Sequence, residues 1–402
     1  MPENQRDSPL EKWLRISSLS FPVPAHSHTL GYCLGGITLV GFLILFGTGF
    51  FLIQFFNPAP DKANASLHHI VENVMGGKWI RSLHYWTAQA VMLSMVAHVL
   101  RIFFGGAYKA PRVLTWFVGV GLFFTSAMLA YFSGTVIKWD QEGFEALEHF
   151  EIVSGMLGPI GGLLNSGLTD SVSMNVRMYS IHITIAPLII IGLVAVHFYL
   201  IHVFNLSPLP KGPHESLPEV PEKELTGTFM QHFIAILRFS LIFYGLVAVI
   251  ALVIPAPLEE AAAGGATGVK PPWIYYWQYG VENFTGMAGI LYSSIILLVL
   301  FLLVPVLDRG ASRNPKNRKG VIGMGIGVLV VMLGLTVYGW LSPPQVHEGG
   351  HGHEHGGTEG KQEEGEPGEH HEGGHEAGQG DDMDAMMDGS DAGDHNADGH
   401  TH

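Results

Sequence analysis

The sequence predicts an all-α integral membrane protein of about seven transmembrane helices, a four-helix front half and a three-helix rear half, followed by a disordered polar tail. Three observations carry this. Of 402 residues, 48% are hydrophobic and only 14% charged, the balance of a membrane chain. Seven apolar stretches, near 30–55, 83–105, 113–137, 180–204, 229–255, 284–307 and 320–341, each approach the roughly 20 residues a helix needs to cross a bilayer. The formal charge of −14 sits in residues 345–402, which hold sixteen Asp and Glu against Lys361 alone, so the body is close to neutral. Such a tail is a solvated extension and does not mark the folded part as a nucleic-acid binder.

The elements follow in order. Residues 1–29 are polar and proline-bearing and lack an apolar run before a small-residue cleavage site, so the first span is expected to stay in the mature chain. Within them SPLEKWLRISSL reads as a short amphipathic helix, either on the membrane surface or simply exposed to solvent. Residues 30–206 hold four spans, and the Pro- and charge-rich stretch 207–228 is a linker. Three more spans occupy 229–341. Residues 342–402 carry ten of the 22 histidines and too little apolar bulk for a core. That tail reads as a loose trap for divalent metal or as a solubilising extension with incidental affinity. If the seven spans are right, thirteen cations share one side: Arg6, Lys12, Arg15, Arg101, Lys109, Arg112, Lys211, Lys223, Arg309, Arg313, Lys316, Arg318 and Lys319. The positive-inside rule makes that side cytoplasmic in a bacterial-type plasma membrane and puts the tail outside. The lone cysteine, Cys33, excludes an intramolecular disulfide.

Histidine inside a span is costly without a partner and marks function. Span two carries His84 and His98, 14 residues apart; span four carries His182 and His197, 15 apart. At 100° and 1.5 Å per residue these steps leave each pair about 40° and 60° apart on one face and roughly 21 Å apart along the axis. Both helices run outside to inside, so His84 is level with His182, and His98 with His197. Two imidazoles facing one another at one depth suit the axial positions of a haem iron, and the pattern predicts two bis-histidine haems. A metal transporter is the alternative of a different class, but spans two and four contain no Asp or Glu to neutralise a dication. Arg81, Arg101 and Arg112 lie where they could pair with propionates, or snorkel to headgroups. On span one, Gly35 and Gly49 repeat the 14-residue step and would let a flat macrocycle approach the backbone; small residues also serve helix packing.

These residues resemble the cytochrome b subunits of quinol:cytochrome c or plastocyanin oxidoreductases, and specifically the cytochrome b6 branch. The resemblance rests on RSLHYW around His84, HVLRIFFGGAYKAPRVLTW from His98, WDQ at Trp139–Gln141, RMYSIHITIAP around His182, and the 14-and-15 spacing, where the mitochondrial type has 14 and 14. The rear spans resemble that branch's separate subunit IV, so residues 10–341 look like a fusion. GYCLGGITL matches the place where the branch binds a third haem by one thioether, which implies a covalent haem on Cys33. The resemblance further implies two haem b groups, quinol oxidation outside, quinone reduction inside, proton translocation, a Rieske-type iron–sulfur protein and/or a c-type cytochrome as partner, and a homodimeric complex. Menaquinone is one admissible substrate. A di-haem anchor of a dehydrogenase or hydrogenase is the runner-up within electron transfer.

The resemblance breaks at two places. Quinol oxidation is expected between Trp139–Asp140 and a PEW-type motif, but this chain reads KPPWIYYW, with Pro271, Pro272, Trp273 and Tyr275. Proline cannot accept the quinol's proton, which leaves Glu148, His149, Glu259, Glu260, Tyr275 and Tyr276 as candidates. His202 stands where the branch has arginine and the mitochondrial type has a quinone-contacting histidine; it reads equally as a helix-end surface residue.

Overall fold

A computed structural model describes residues 21–264 and 268–344. The expected N-terminal amphipathic helix and the His-rich tail lie outside the described residues. Among the described residues, seven helices are long and apolar enough to cross a membrane, as the sequence predicts. In chain order the helices are α1 Leu30–Leu52, α2 Ala63–Asn73, α3 Gly77–Phe104, α4 Val113–Val136, α5 Gln141–Gly155, α6 Met174–Phe204, α7 Phe229–Val253, α8 Tyr276–Thr285, α9 Met287–Leu307 and α10 Lys319–Leu341. The spans are α1, α3, α4, α6, α7, α9 and α10; α2, α5 and α8 are shorter, more polar helices between them. Helices α3 and α6 begin about six residues before the apolar windows, because GKWIRS and MNVRMYS carry polar groups that belong outside hydrocarbon while still helical.

Helices α1, α3 and α7 pack on one another, α4 packs on α6, and α8 packs on α9 and α10. Phe42, Val91, Met95 and Ile190 fill the middle of the front four helices. Between α1 and α7 the packing is close: a Cβ on Gly36 would run into the Ile236 side chain. Glycine is therefore required there, for the close helix approach typical in lipid. The start of α7 is set by a capping box, in which Thr228 accepts from the Gln231 backbone N–H and Gln231 reaches back to Thr228. Two short strands, β1 Pro22–Val23 and β2 Gly227–Thr228, pair antiparallel and tie the chain before α1 to the start of α7.

On the side of the α3–α4 and α9–α10 turns, charges are buried but paired. Asp308 accepts from Lys109 Nζ at 2.7 Å, from Arg318 Nε at 2.7 Å and from the Tyr108 hydroxyl. Burial alone would raise its pKa; the three donors hold it below the usual carboxylate range. This cluster joins the front half to the rear half.

Candidate functional site: two levels of paired histidines

His84 on α3 and His182 on α6 face one another with ring centroids 6.2 Å apart and planes at 66°. Two imidazoles ligating one metal from opposite sides, each with a metal–nitrogen bond of about 2.0 Å, have centroids roughly 6 Å apart. The spacing therefore fits one iron between them. The proton positions fit as well. His182 Nδ1 lies 2.9 Å from the Ala130 carbonyl, which can only accept, so Nδ1 carries the proton and Nε2 keeps its lone pair. The Thr48 hydroxyl spends its proton on the Ile44 carbonyl at 2.7 Å, so at 2.9 Å it accepts from His84 Nδ1–H. A metal-ligating histidine uses just this arrangement, one nitrogen for the metal and the other held by an acceptor that fixes ring and tautomer.

At the inner level His98 and His197 line one cavity between α1, α3, α4 and α6. His98 Nδ1 is buried without a hydrogen-bond partner, an arrangement that costs free energy in a finished apolar core, whereas the His197 ring faces the Thr115 backbone.

Each histidine has a glycine opposite. A Cβ on Gly49 would stand 3.4 Å from His84 Cε1, one on Gly134 2.7 Å from His182 Cε1, one on Gly35 3.0 Å from His98 Cε1, and one on Gly119 3.7 Å from His197 Cε1. Gly35 and Gly49 are thus where the sequence places them, with an imidazole edge over each. Gly119 and Gly134 on α4 escaped the sequence reading, although their 15-residue step copies that of His182 and His197 and could have revealed them.

The unequal steps have a structural cause. Helix α4 contains a π-helical stretch, Thr125–Tyr131, between its two glycines, and α6 contains one, Ile181–Ile185, at His182. A π-turn absorbs one extra residue without advancing the face, so 15 residues on α4 and α6 do the work of 14 on α1 and α3. The 60° phase expected for His182 and His197 on a regular helix is corrected accordingly, and all four helices present their pairs with one common step.

The remaining expected residues divide. Arg101 lies with its guanidinium 3.6 Å from the Tyr32 ring centroid and lines the inner cavity. Arg112 also borders that cavity, but its guanidinium donates to the carbonyls of Phe204, Asn205, Leu206 and Pro218. Arg81 donates to the carbonyls of Ala256 at 3.1 Å and Pro257 at 2.7 Å, anchoring the segment after α7. Cys33 is fully buried, in the core cluster that includes Ile37 and Ile236, with its Sγ toward the Ser27 carbonyl at 3.8 Å. His202 is exposed and sits edge-on to Phe21 at 4.8 Å, off the cavity that holds His98 and His197. His232, which the sequence reading passed over, lines it instead.

At the outer level Trp139 adopts φ 55°, a conformation that non-glycine residues rarely take, and turns the chain so that Asp140 can cap α5 by accepting from Gly143 N–H at 2.9 Å. Asp140 also pairs with Lys138 at 3.0 Å. Pro271 and Pro272 lead into a 3₁₀ turn, Trp273–Tyr275. Trp273 Nε1 at 2.6 Å and the Tyr131 hydroxyl at 2.8 Å both donate to Gln89 on α3, while the half-buried Tyr275 donates to the Ala127 carbonyl at 2.6 Å. The KPPWIYYW segment therefore rests on α3 and α4. Of the candidate acids and bases, His149 pairs with Glu282 at 3.1 Å and Glu259 offers its backbone carbonyl to Asn64.

Helices that enclose histidines at two levels, with the outer pair spaced and oriented for one metal, make an arrangement suited to haem iron in a membrane. The sequence profile described as "Cytochrome b/b6/petB" matches residues 18–205. Cytochrome b6 of Heliobacterium mobile is 36% identical over 190 residues, 46% of this chain and 89% of that protein. Cytochrome b6 of Rippkaea orientalis is 36% identical over 217 residues, 50% of this chain and 96% of that protein. The chain belongs to the cytochrome b/b6 family. A solved chain titled "Hyperthermophilic respiratory Complex III" shares the fold across both halves, with a TM-score of 0.68 at 22% identity, covering 85% of this chain and 92% of that one.

Proposed function

We propose that this chain is the cytochrome b subunit of a quinol-oxidising complex of the bc/b6f type, moving electrons from quinol on the outer side to quinone on the inner side and coupling this to proton translocation. The observation that carries the reading is the outer pair: His84 and His182 stand 6.2 Å apart with both Nδ1–H groups held by acceptors, so both Nε2 lone pairs are left for a metal. His84 with His182 and His98 with His197 would hold two haem b groups. When bound, haem supplies one-electron chemistry; the chain supplies the rest. Thr48, Ala130 and Ser133 hold the outer rings in one orientation, and the four glycines give the rings room. Trp273, Tyr275 and Gln89 shape the outer quinol region, where Pro272 takes no part in proton transfer. Arg101, Tyr32 and His232 border the inner region. The likeness to the b6 branch also supports the N-terminus inside, a Rieske-type or c-type partner, and a homodimer.

A third haem on Cys33 is part of the same reading. Its attachment requires the packing around Cys33 to open, because the thiol is fully buried.

The test is a pyridine haemochrome spectrum of the purified protein with a haem stain after denaturing electrophoresis. Two haem b per chain are expected; no haem would refute the function. A stain that Cys33→Ala abolishes, with b-type absorbance kept, is expected for the third haem; a stain that survives would refute the attachment.

A further inference from the structure

A further cavity, of about 320 Å³, lies where the α3–α4 turn, the 207–228 linker and the α9–α10 turn meet. Lys109, Ser216, Pro218, Asp308, Arg309 and Arg313 are among its lining residues, and no histidine is. Two more cations stand at this corner: Arg112 donates to the Pro218 carbonyl at 2.8 Å, and Arg318 to Asp308 at 2.7 Å. The nearby carboxylates do not balance the five. Asp308 is spent on Lys109, Arg318 and the Tyr108 hydroxyl. Glu215 accepts from Ser312 at 2.9 Å and from Asn317 at 3.4 Å, and Glu219 lies toward Arg112.

Arg313 is left most in need of an anion. It is 1% exposed, its terminal nitrogens donate to the carbonyls of Glu215, Leu217 and Ala110, and its Nε is buried without a partner. Among the described residues no carboxylate pairs with it. Arg112 feels it: burial first, and then the Arg313 charge, push the Arg112 guanidinium down to about 10. A buried charge without a counter-charge is costly, and a bound anion removes the cost. Arg309 adds a second donor, since it is exposed and only its Nε is engaged, to the Val306 carbonyl at 2.9 Å.

The cavity also borders the ends of two spans. Val113 opens α4 and Pro305 lies in the last turn of α9, and beside them Leu114, Leu302 and Val306 are exposed. A soluble anion would use only the cationic wall, whereas a phospholipid would use the apolar surface as well, laying its acyl chains along α4 and α9. We propose that this cavity binds the phosphate group of an anionic phospholipid, with Arg309 and Arg313 as its donors, and that the lipid ties the front half to the rear half across the linker. The site stands apart from both histidine levels and does not rest on the redox function proposed above.

The test is native mass spectrometry of the intact protein purified in detergent and titrated with phosphatidylglycerol, phosphatidylcholine or inorganic phosphate. One phosphatidylglycerol per chain is expected to bind about fivefold more tightly to the parent than to Arg309→Gln. Arg309→Lys should restore most of that difference, and rising salt should narrow it. Phosphatidylcholine should bind both alike. Arg313→Gln should lose more; if its carbonyl contacts prove necessary for folding, the exposed Arg309 decides alone. Equal phosphatidylglycerol binding by the parent and Arg309→Gln overturns the site. An equal loss with phosphatidylcholine overturns the preference for an anionic lipid, and displacement of the bound lipid by millimolar inorganic phosphate overturns the lipid as the source of the phosphate.

Discussion

The substitution Gly134→Ala tests whether the glycines exist to admit the histidine rings. Its Cβ would stand 2.7 Å from His182 Cε1 and 3.2 Å from Nδ1, where ordinary carbon contact begins near 3.5 Å. The ring must yield by several tenths of an ångström. It cannot retreat freely, because Nδ1–H is held by the Ala130 carbonyl at 2.9 Å and by Ser133 Oγ at 3.2 Å. Moving toward His84 would shorten a 6.2 Å ring separation that already fits one iron. Overpacking of this kind costs about 1–3 kcal/mol, or roughly 5- to 150-fold in haem affinity at about 1.4 kcal/mol per tenfold. Gly119→Ala on the same helix is the matched control, since its Cβ would meet His197 Cε1 at an unstrained 3.7 Å. Haem content and an optical redox titration of both variants in native membranes are the assay. Gly134→Ala should lose or shift the outer component, and Gly119→Ala should keep both. Equal behaviour of the two variants would refute the steric reading.

Thr48→Val removes the acceptor for His84 Nδ1–H and, as for other groups supporting metal ligands, should weaken haem retention about 10- to 100-fold, read as haem lost on dilution; unchanged retention would refute the hydrogen bond's role. Asp308→Asn leaves Lys109 and Arg318 without their shared anion and should cost about 3–5 kcal/mol, seen as a shorter lifetime in detergent. Because the folded pKa of Asp308 is depressed, its contribution is present above the ordinary carboxylate pKa and fades as pH falls through the folded value; a lifetime independent of pH in acid would count against it. His149 behaves oppositely: burial disfavours its charge, but Glu282 overcomes this and raises its pKa. Its contribution is full below the ordinary histidine pKa of about 6.5 and is lost as pH rises through the raised value, so melting curves should show a step on the alkaline side of that ordinary pKa that His149→Gln removes.

The seven spans and the four intramembrane histidines were legible in the sequence, because a helix in lipid must be apolar all along and each polar ring in it stands out. The levels of the two pairs followed from helix rise alone. Gly35 and Gly49 were readable from the copied 14-residue step, and Gly119 and Gly134 would have been too. What the sequence could not supply was the phase of the 15-residue step. A π-turn is made by a backbone choosing an i→i+5 partner, and TSAMLAY and IHITI are ordinary apolar segments that announce no such choice. Nor could it say which way the inner polar residues face. His202 and His232 both lie near a helix end, but only the packing of α7 against α1, held by the β1–β2 pair, turns His232 into the cavity and leaves His202 outside. Direction on a helix surface is set by neighbours distant in the chain, and those neighbours exist only in the fold.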